Sequence, residues 1–275
     1  MSVIKAIFFD LDGTLLTSKK EISLKTRHTL EKCKSNNIKL FIATARPPLL
    51  DKQLPWGNIQ DTLFDGGCFY NGGCIIIDGS KTYYPIAGDI VRKSVECVCQ
   101  YDNINIALQL EGEKHAFRYP LDESDYNAWG VSAESALNLS QADGLSTVKI
   151  VVFPPDFLDI ATPIDPKLAK ALEELHRSAA QFYLTDKGTL IQIMAKHVNK
   201  ASGIEKIRLQ LGLKKNEIAV FGDDVNDMEM LAAYENSVAM GNAEEVVKQT
   251  AAHVTLDNDD DGVHYAIANI LKIQM

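Results

Sequence analysis

Val3-Ile4-Lys5-Ala6-Ile7-Phe8-Phe9-Asp10-Leu11-Asp12-Gly13-Thr14 stands almost at the start of the chain, and its reading decides the fold. From Val3 to Phe9 only Lys5 interrupts a continuous apolar run. A strand with one wet face alternates apolar and polar residues, whereas a continuous run predicts a strand buried on both faces, as in a parallel sheet covered by helices. The run ends in two carboxylates, Asp10 and Asp12, followed by Gly13. Parallel-sheet proteins place ligand sites at the carboxyl ends of their strands. Two carboxylates at i and i+2 in such a loop can converge on one point, and glycine lets the backbone turn tightly behind them.

Working outward, Ser23 is placed to cap a helix running to Ser35, with Leu24, Leu30 and Cys33 among its apolar positions. Asn36-Asn37 ends it, since Asn tolerates the left-handed conformation. Residues 38–43 form a second buried strand, and strand, helix, strand is a right-handed βαβ unit. The rhythm returns late, with helices over 201–211, 227–234 and 243–250 and strands over 218–221, 238–240 and 253–256. A closing helix over 262–273 has Asp261 as its cap. The middle reads differently. Strands over 81–85, 105–110, 116–119, 147–153 and 189–194 are broken by helices over 89–100 and 166–179, with turns at 111–113 and 185–188. This predicts an antiparallel sheet with helices on one face. The chain is read as α/β: a Rossmann-like parallel-sheet core from residues 1–82 and 195–275, with an α+β cap domain, 83–194, inserted between them.

The 275 residues suffice for two modest domains, and 46% apolar with 24% charged residues is the balance of a soluble globular protein. No apolar run approaches a membrane span and no secretory signal is recognisable, so the expected location is cytoplasmic, with no membrane partner. A net charge of −9 without a basic stripe argues against nucleic acid. It leaves room for a small phosphorylated metabolite, which a cation, one Lys and backbone N–H groups hold locally. Cys33, Cys68, Cys74, Cys97 and Cys99 make an odd count that suits a reducing compartment. Cys97 and Cys99 lie two apart in a helical pattern, on different sides of the helix, and read as bystander thiols rather than metal ligands.

Three further clusters carry chemistry. Thr44-Ala45-Arg46 ends the second strand, where a hydroxyl and the following N–H groups make a phosphate cradle, although a Thr there is more often a simple cap. Lys200 opens a helix; a lone Lys is ordinarily surface. Asp223-Asp224-Val225-Asn226-Asp227 follows the apolar strand ending at Phe221-Gly222. Several carboxylates behind a buried strand repel and are costly to desolvate unless paired or metal-bound. Hard oxygen ligands of this kind suit Mg²⁺. The histidines show no ligand or triad spacing. His115 falls in a hairpin of the middle region, where substrate contact is one reading and a surface residue the favoured one.

In this order the four clusters resemble the haloacid dehalogenase (HAD) superfamily of phosphohydrolases. Asn71-Gly72, Ala239-Met240-Gly241-Asn242-Ala243 and Asp261-Gly262-Val263 are similar to the Cof-type subfamily, which carries a large cap between its second and third motifs. The resemblance implies a Mg²⁺-dependent phosphatase acting on sugar phosphates or similar monoesters through a phospho-aspartate. Asp10 would be nucleophile and metal ligand. Asp12 would be general acid and base, with its carbonyl on the metal. Leu11, Thr44, Ala45, Arg46, Lys200 and Asn226 would bind substrate phosphate, and Asp223, Asp224 and Asp227 would complete the metal site with Asp10 and Asp12. The family usually carries Gly where this chain has Ala45, and often Gly or Ser at position 224. A phosphomutase or phosphotransferase would use the same motifs, with a sugar hydroxyl replacing water. A non-catalytic regulatory protein on this scaffold would tolerate loss of Asp10 or Asp12, and both are present.

Overall fold

The structure, a computed structural model, describes residues 3–56, 59–155 and 162–273. The strands β1 (Ala6–Phe9), β2 (Lys39–Ala43), β3 (Gly66–Phe69), β4 (Cys74–Ile77) and β5 (Ser80–Tyr83) come first. Then follow β6 (Asn105–Leu110), β7 (His115–Phe117), β8 (Leu137–Asn138), β9 (Thr147–Phe153), β10 (Ala180–Thr185) and β11 (Leu190–Ala195). The chain closes with β12 (Ile218–Gly222), β13 (Asn236–Ala239) and β14 (His253–Val254). Contacts divide it into two compact units: Met1–Arg46, Leu54–Thr82 and Asn199–Met275 form one, Pro47–Gln53 and Tyr83–Val198 the other.

The first sheet has the order β14-β13-β12-β1-β2-β3-β4-β5. Every pairing from β14 to β3 is parallel, and β4 turns back antiparallel on β3. The strand order reverses between β1 and β12, the position where doubly wound sheets open a crevice at their carboxyl ends. All four residues of β1 are buried, as its unbroken apolar run requires. Successive side chains of a strand point to opposite faces. Phe8 therefore stacks on Phe41 of β2 at 4.8 Å, and Phe9 on Phe221 of β12 at 5.2 Å. Each buried Phe contributes about 2–3 kcal/mol, and the two stacks fix β1 against both neighbours. Asp10, Thr44 and Asp223 consequently leave the sheet side by side.

Ser23 caps the helix Leu24–Ser35, accepting from Thr26 N at 3.1 Å, and Asn37 leaves it with φ +61°. Asp261 holds the N-cap position of the closing helix, as expected, but its side chain does not bond the first turn. It sits at φ +56°, and its carboxylate accepts the Ser23 hydroxyl, with Lys25 Nζ at 3.7 Å. The closing helix is α-helical over Gly262–Tyr265 and widens to a π turn over Ala266–Ile270. The strand β3 begins at Gly66, φ +136°, where a Cβ would lie 2.1 Å from Ile76 O. Only glycine fits, and Gly66-Gly67 hides the strand from propensity.

In the second unit the order is β10-β11-β9-β6-β7-β8, antiparallel except for β7–β8. Helices Gly88–Val98 and Pro166–His176 cover one face over Ile106, Leu108, Ile150, Val152, Ile191 and Ile193. The opposite face is not bare, as expected, but carries the short helix Glu123–Trp129, whose Tyr126 and Trp129 pack on Ala107, Phe117, Val151 and Phe153. Leu50–Gln53 also belongs to this unit, with Gln53 Nε2 donating to Ala128 O at 2.8 Å. Among the described residues no helix is long and apolar enough to cross a membrane.

His115 corrects the surface reading. It is fully buried, edge-on to Trp129 at 5.7 Å, with Nε2 3.0 Å from Gln109 Nε2. Burial, with Lys149 nearby, pulls its pKa from 6.5 down to about 4. A depressed folded-state pKa means the unfolded chain takes up the proton first. The neutral histidine's stabilisation is thus full above pH 6.5 and is lost as pH falls towards 4, by up to about 3 kcal/mol. Melting followed by circular dichroism from pH 7 to 4.5 should show a smaller fall in midpoint for His115→Gln than for the wild type; identical slopes would contradict the buried neutral histidine.

Candidate active site

The β1 loop is built by its own backbone. Leu15 N donates to Asp10 O at 3.2 Å and Leu16 N to Leu11 O at 2.8 Å, folding the chain back over the strand end. Asp10 N reaches across to Phe221 O at 3.0 Å, one rung past the strand itself. Gly13 at φ +79° is required twice over, by its backbone and because a Cβ there would sit 2.2 Å from Asp223 Oδ2. Thr14 uses the closeness that glycine allows, donating its hydroxyl to Asp223 Oδ1 at 2.6 Å. Asn242 Nδ2 secures Gly13 O at 2.9 Å.

Lys200, expected at the site, is buried there, unlike most lone lysines. Asn199 caps its helix, accepting from Ser202 N at 2.8 Å, so Lys200 starts the first turn. The side chain is 1% exposed, and Nζ donates to Asp10 Oδ1 and Asp227 Oδ1, each at 2.6 Å. Asp227 Oδ2 accepts from Asp223 N at 3.0 Å and Asp224 N at 3.1 Å, which ties the β12 loop to the same lysine. Oxygens of Asp10, Asp223 and Asp227 lie within 4.8 Å of one another.

Three carboxylates face one ammonium, leaving two negative charges without compensation in a buried place. Burial and the neighbouring carboxylates Asp227 and Asp223 push Asp10 well above the usual carboxylate range, against the pull of Lys200. Burial likewise raises Asp223 to about 7, with Asp227 adding and Thr14 opposing. Burial would depress Lys200, but Asp10 and Asp227 outweigh it and hold the ammonium above its ordinary range. The cluster is short of positive charge and rich in hard oxygen donors, and so fits a divalent cation such as Mg²⁺.

Asp12 lies apart from the cluster. Arg46 grips it with two bonds, Nε to Oδ2 at 2.6 Å and Nη2 to Oδ1 at 2.8 Å, while Lys20 Nζ donates to Oδ1 at 2.7 Å. Burial favours the neutral acid, yet Arg46 and then Lys20 prevail and hold Asp12 below the usual range. Arg46, expected from the motif to bind phosphate, pairs here with Asp12. The Thr44 hydroxyl, at the end of β2, accepts from Arg46 N at 3.1 Å; Ala45 follows in the same loop. Leu11 is fully buried, so only its backbone can serve a ligand. Asp224 caps the turn Val225–Asp227 through Val225 N at 2.8 Å and is not in the acidic cluster. Asn226 donates to Asn71 Oδ1 at 3.1 Å, and Asn71, at φ +54°, donates its N–H to Thr44 O at 2.9 Å. Thr14, Lys20 and Asn71 are site residues that sequence reasoning did not place. Thr14 was legible as the last position of the Asp10 motif; Lys20 carries no motif signal.

The family model of haloacid dehalogenase-like hydrolases matches residues 7–267. The chain is 28% identical over 265 residues to a 5-amino-6-(5-phospho-D-ribitylamino)uracil phosphatase of Bacillus subtilis, covering 94% of each chain. It superposes on a HAD subclass IIB sugar phosphatase with TM-score 0.80 at 26% identity, over 98% of this chain and 100% of that one. A structure from work on a trigonal-bipyramidal intermediate in a phosphoryl-transfer superfamily gives TM-score 0.83 at 25% identity, over 99% and 100%.

Replacing Lys200 by Met would strand Asp10 and Asp227 as unpaired buried carboxylates, a change that costs about 3–5 kcal/mol. Urea unfolding at pH 8 with chelator present should show a loss of that order for Lys200→Met. The loss should shrink towards pH 5 as Asp10, already raised by burial, takes up a proton, and adding Asp227→Asn should recover part of it. A loss below about 1 kcal/mol would contradict the pairing.

Proposed function

The chain belongs to the haloacid dehalogenase-like hydrolases, and from that premise we propose that it hydrolyses small phosphate monoesters through a phosphate carried on Asp10. The observation that carries this reading is the Asp10 carboxylate at the end of β1, buried, bonded to Lys200 and grouped with Asp223. Phosphoryl transfer needs in-line positioning and neutralisation of charge more than covalent assistance from other groups.

Asp10 attacks phosphorus through its free oxygen while Lys200 steadies the other. Lys200, the Thr44 hydroxyl and backbone N–H groups of the β1 and β2 loops, Leu11 and Ala45 among them, take the phosphoryl oxygens. Asn226, braced by Asn71, supports the same side. Asp12 protonates the leaving oxygen and then, as carboxylate, removes a proton from the water that attacks the phospho-aspartate. Its grip by Arg46 and Lys20 gives the base form in hand, so the first half-reaction requires that grip to loosen. Asp10, Asp223 and the Asp12 carbonyl would hold Mg²⁺, with Asp227 and Asp224 positioning the β12 loop around it. The cation neutralises charge on the transferring phosphoryl group. A relative named for a phosphorylated ribityl compound and a neighbour named a sugar phosphatase share polyhydroxylated monoesters as substrates, and the same class is proposed here.

Two variants test the assignment. Asp10→Asn should reduce turnover to background and form no adduct. Asp12→Asn should lose about 10²–10⁴-fold with sugar phosphates, yet accept phosphate from an aryl phosphate, whose leaving group needs no proton, and then stall. Mass spectrometry after rapid quenching should find the added phosphate on Asp10 in Asp12→Asn. A stable adduct on Ser, Thr or His, or equal defects in both variants with every leaving group, would overturn the mechanism.

A further inference from the structure

Lys20 is the member of the site with no counterpart among the motifs, and several independent features hold it there. It lies in a short turn after the β1 loop, closed by Thr17 N to Glu21 O at 2.9 Å and Lys20 N to Thr17 O at 2.8 Å. The turn is anchored from the far end of the chain. Ser18 N donates to Asp259 Oδ1 at 2.8 Å, and Asn258 Nδ2 donates to Leu16 O at 2.8 Å. Lys20 itself takes φ +62°, the left-handed region that a lysine enters only when its surroundings dictate it. The long side chain then runs back to the catalytic loop, where Nζ shares Asp12 Oδ1 with Arg46 Nη2.

The two cations on Asp12 differ in kind. Arg46 is the more buried, 20% exposed, and its planar fork is committed to both carboxylate oxygens. Lys20 is 52% exposed, sits on a flexible stem, and has three N–H donors of which Asp12 takes one. Arg46 therefore orients the acid, and Lys20 can turn to something else without releasing it. What lies beside it during the reaction follows from the reading of Asp12 above. A general acid must come within hydrogen-bond reach of the leaving oxygen, so an ammonium 2.7 Å from the same carboxylate oxygen stands within about 6 Å of that oxygen. That distance spans one or two carbons of the leaving group and a hydrogen bond beyond them.

We propose that Lys20 is a specificity-determining residue that binds the leaving group. Its ammonium selects monoesters of polyols and sugar acids, whose hydroxyl or carboxylate oxygens lie one or two carbons from the ester oxygen. The proposal rests on Asp12 facing the leaving oxygen, and it adds a named contact to the non-phosphate half of the substrate. An aryl phosphate offers no such acceptor, so Lys20 contributes to one class of substrate and not to the other.

The test is selectivity, measured on the full chain with Mg²⁺ as kcat/KM for the best polyol or sugar phosphate of a panel, divided by kcat/KM for phenyl phosphate. Losing one charge-assisted hydrogen bond to substrate should lower this ratio roughly ten- to a hundredfold in Lys20→Met, mainly through KM. Lys20→Arg, which keeps a donor in place, should restore it to within a few fold. A loss confined to kcat would show that Lys20 acts only through Asp12, the acid that sugar leaving groups need and phenyl phosphate does not, and would overturn the proposal, as would a proportional loss on both substrates or an unchanged ratio. Failure of the phosphatase reading would look different: the wild type would release phosphate from neither substrate.

Discussion

The ammonium of Lys200, buried between Asp10 and Asp227, is the contact on which the rest of the site depends. It joins three pieces of chain that are far apart in sequence: the end of β1, the loop after β12 and the first turn of the helix Lys200–Gln210. An ammonium and two carboxylates out of water are tolerated only when each is paired at close range. The pairing in turn demands that β1 and β12 be neighbours in fixed register. The Phe9–Phe221 stack supplies that register on one face, and Phe8 on Phe41 ties in β2, and with it Thr44, on the other. The core residues that look purely structural therefore set where the charged groups meet.

Pairing is incomplete by design of the residue set. One lysine cannot neutralise three carboxylates, and the upward push on Asp10 and Asp223 is the energetic trace of the shortfall. A divalent cation would resolve it, and on the proposed reaction a phosphoryl group could bring its own negative charge to the same place only with that cation and Lys200 already there. Asp12 is insulated from this crowding by Arg46 and Lys20. Two aspartates two residues apart thus live in opposite fields: burial and like charges push one up, and a guanidinium holds the other down. Separate environments of this kind would let one loop supply both the nucleophile and the acid–base group proposed for it.

Much of this was legible in the sequence, for physical reasons. An apolar run without alternation can only be a doubly covered strand, and carboxylates that end two such strands must meet if the strands pair. That logic reached Asp10, Asp12 and Asp223 from patterning and family resemblance together. The parallel order of the sheet followed from the βαβ rhythm. Other features left no local signal. The strand β3 is hidden by Gly66-Gly67, whose absent side chains are required by Ile76 and Ile42 rather than by any propensity. The helix Glu123–Trp129 is too short to show a period. The depth of His115 depends on Trp129, which arrives from the helix Glu123–Trp129. Asp224, implied by the resemblance to stand at the metal site, caps the turn beside it, a contact its place in the motif did not signal. Lys20 reaches Asp12 through a turn held by Asn258 and Asp259, a dependence between the two ends of the chain that no window of sequence contains.

The Asp10, Asp223 and Asp227 cluster, on the proposed function, holds a divalent cation that Lys200 alone cannot replace. Isothermal titration of Mg²⁺ into the metal-free chain tests it without any assay of turnover. One binding event per chain is expected, with proton release near pH 7 as Asp223, raised to about 7, ionises, and its disappearance in Asp223→Asn. Absence of binding at millimolar Mg²⁺, or full binding retained when Asp10 and Asp223 are both replaced by Asn, would contradict it.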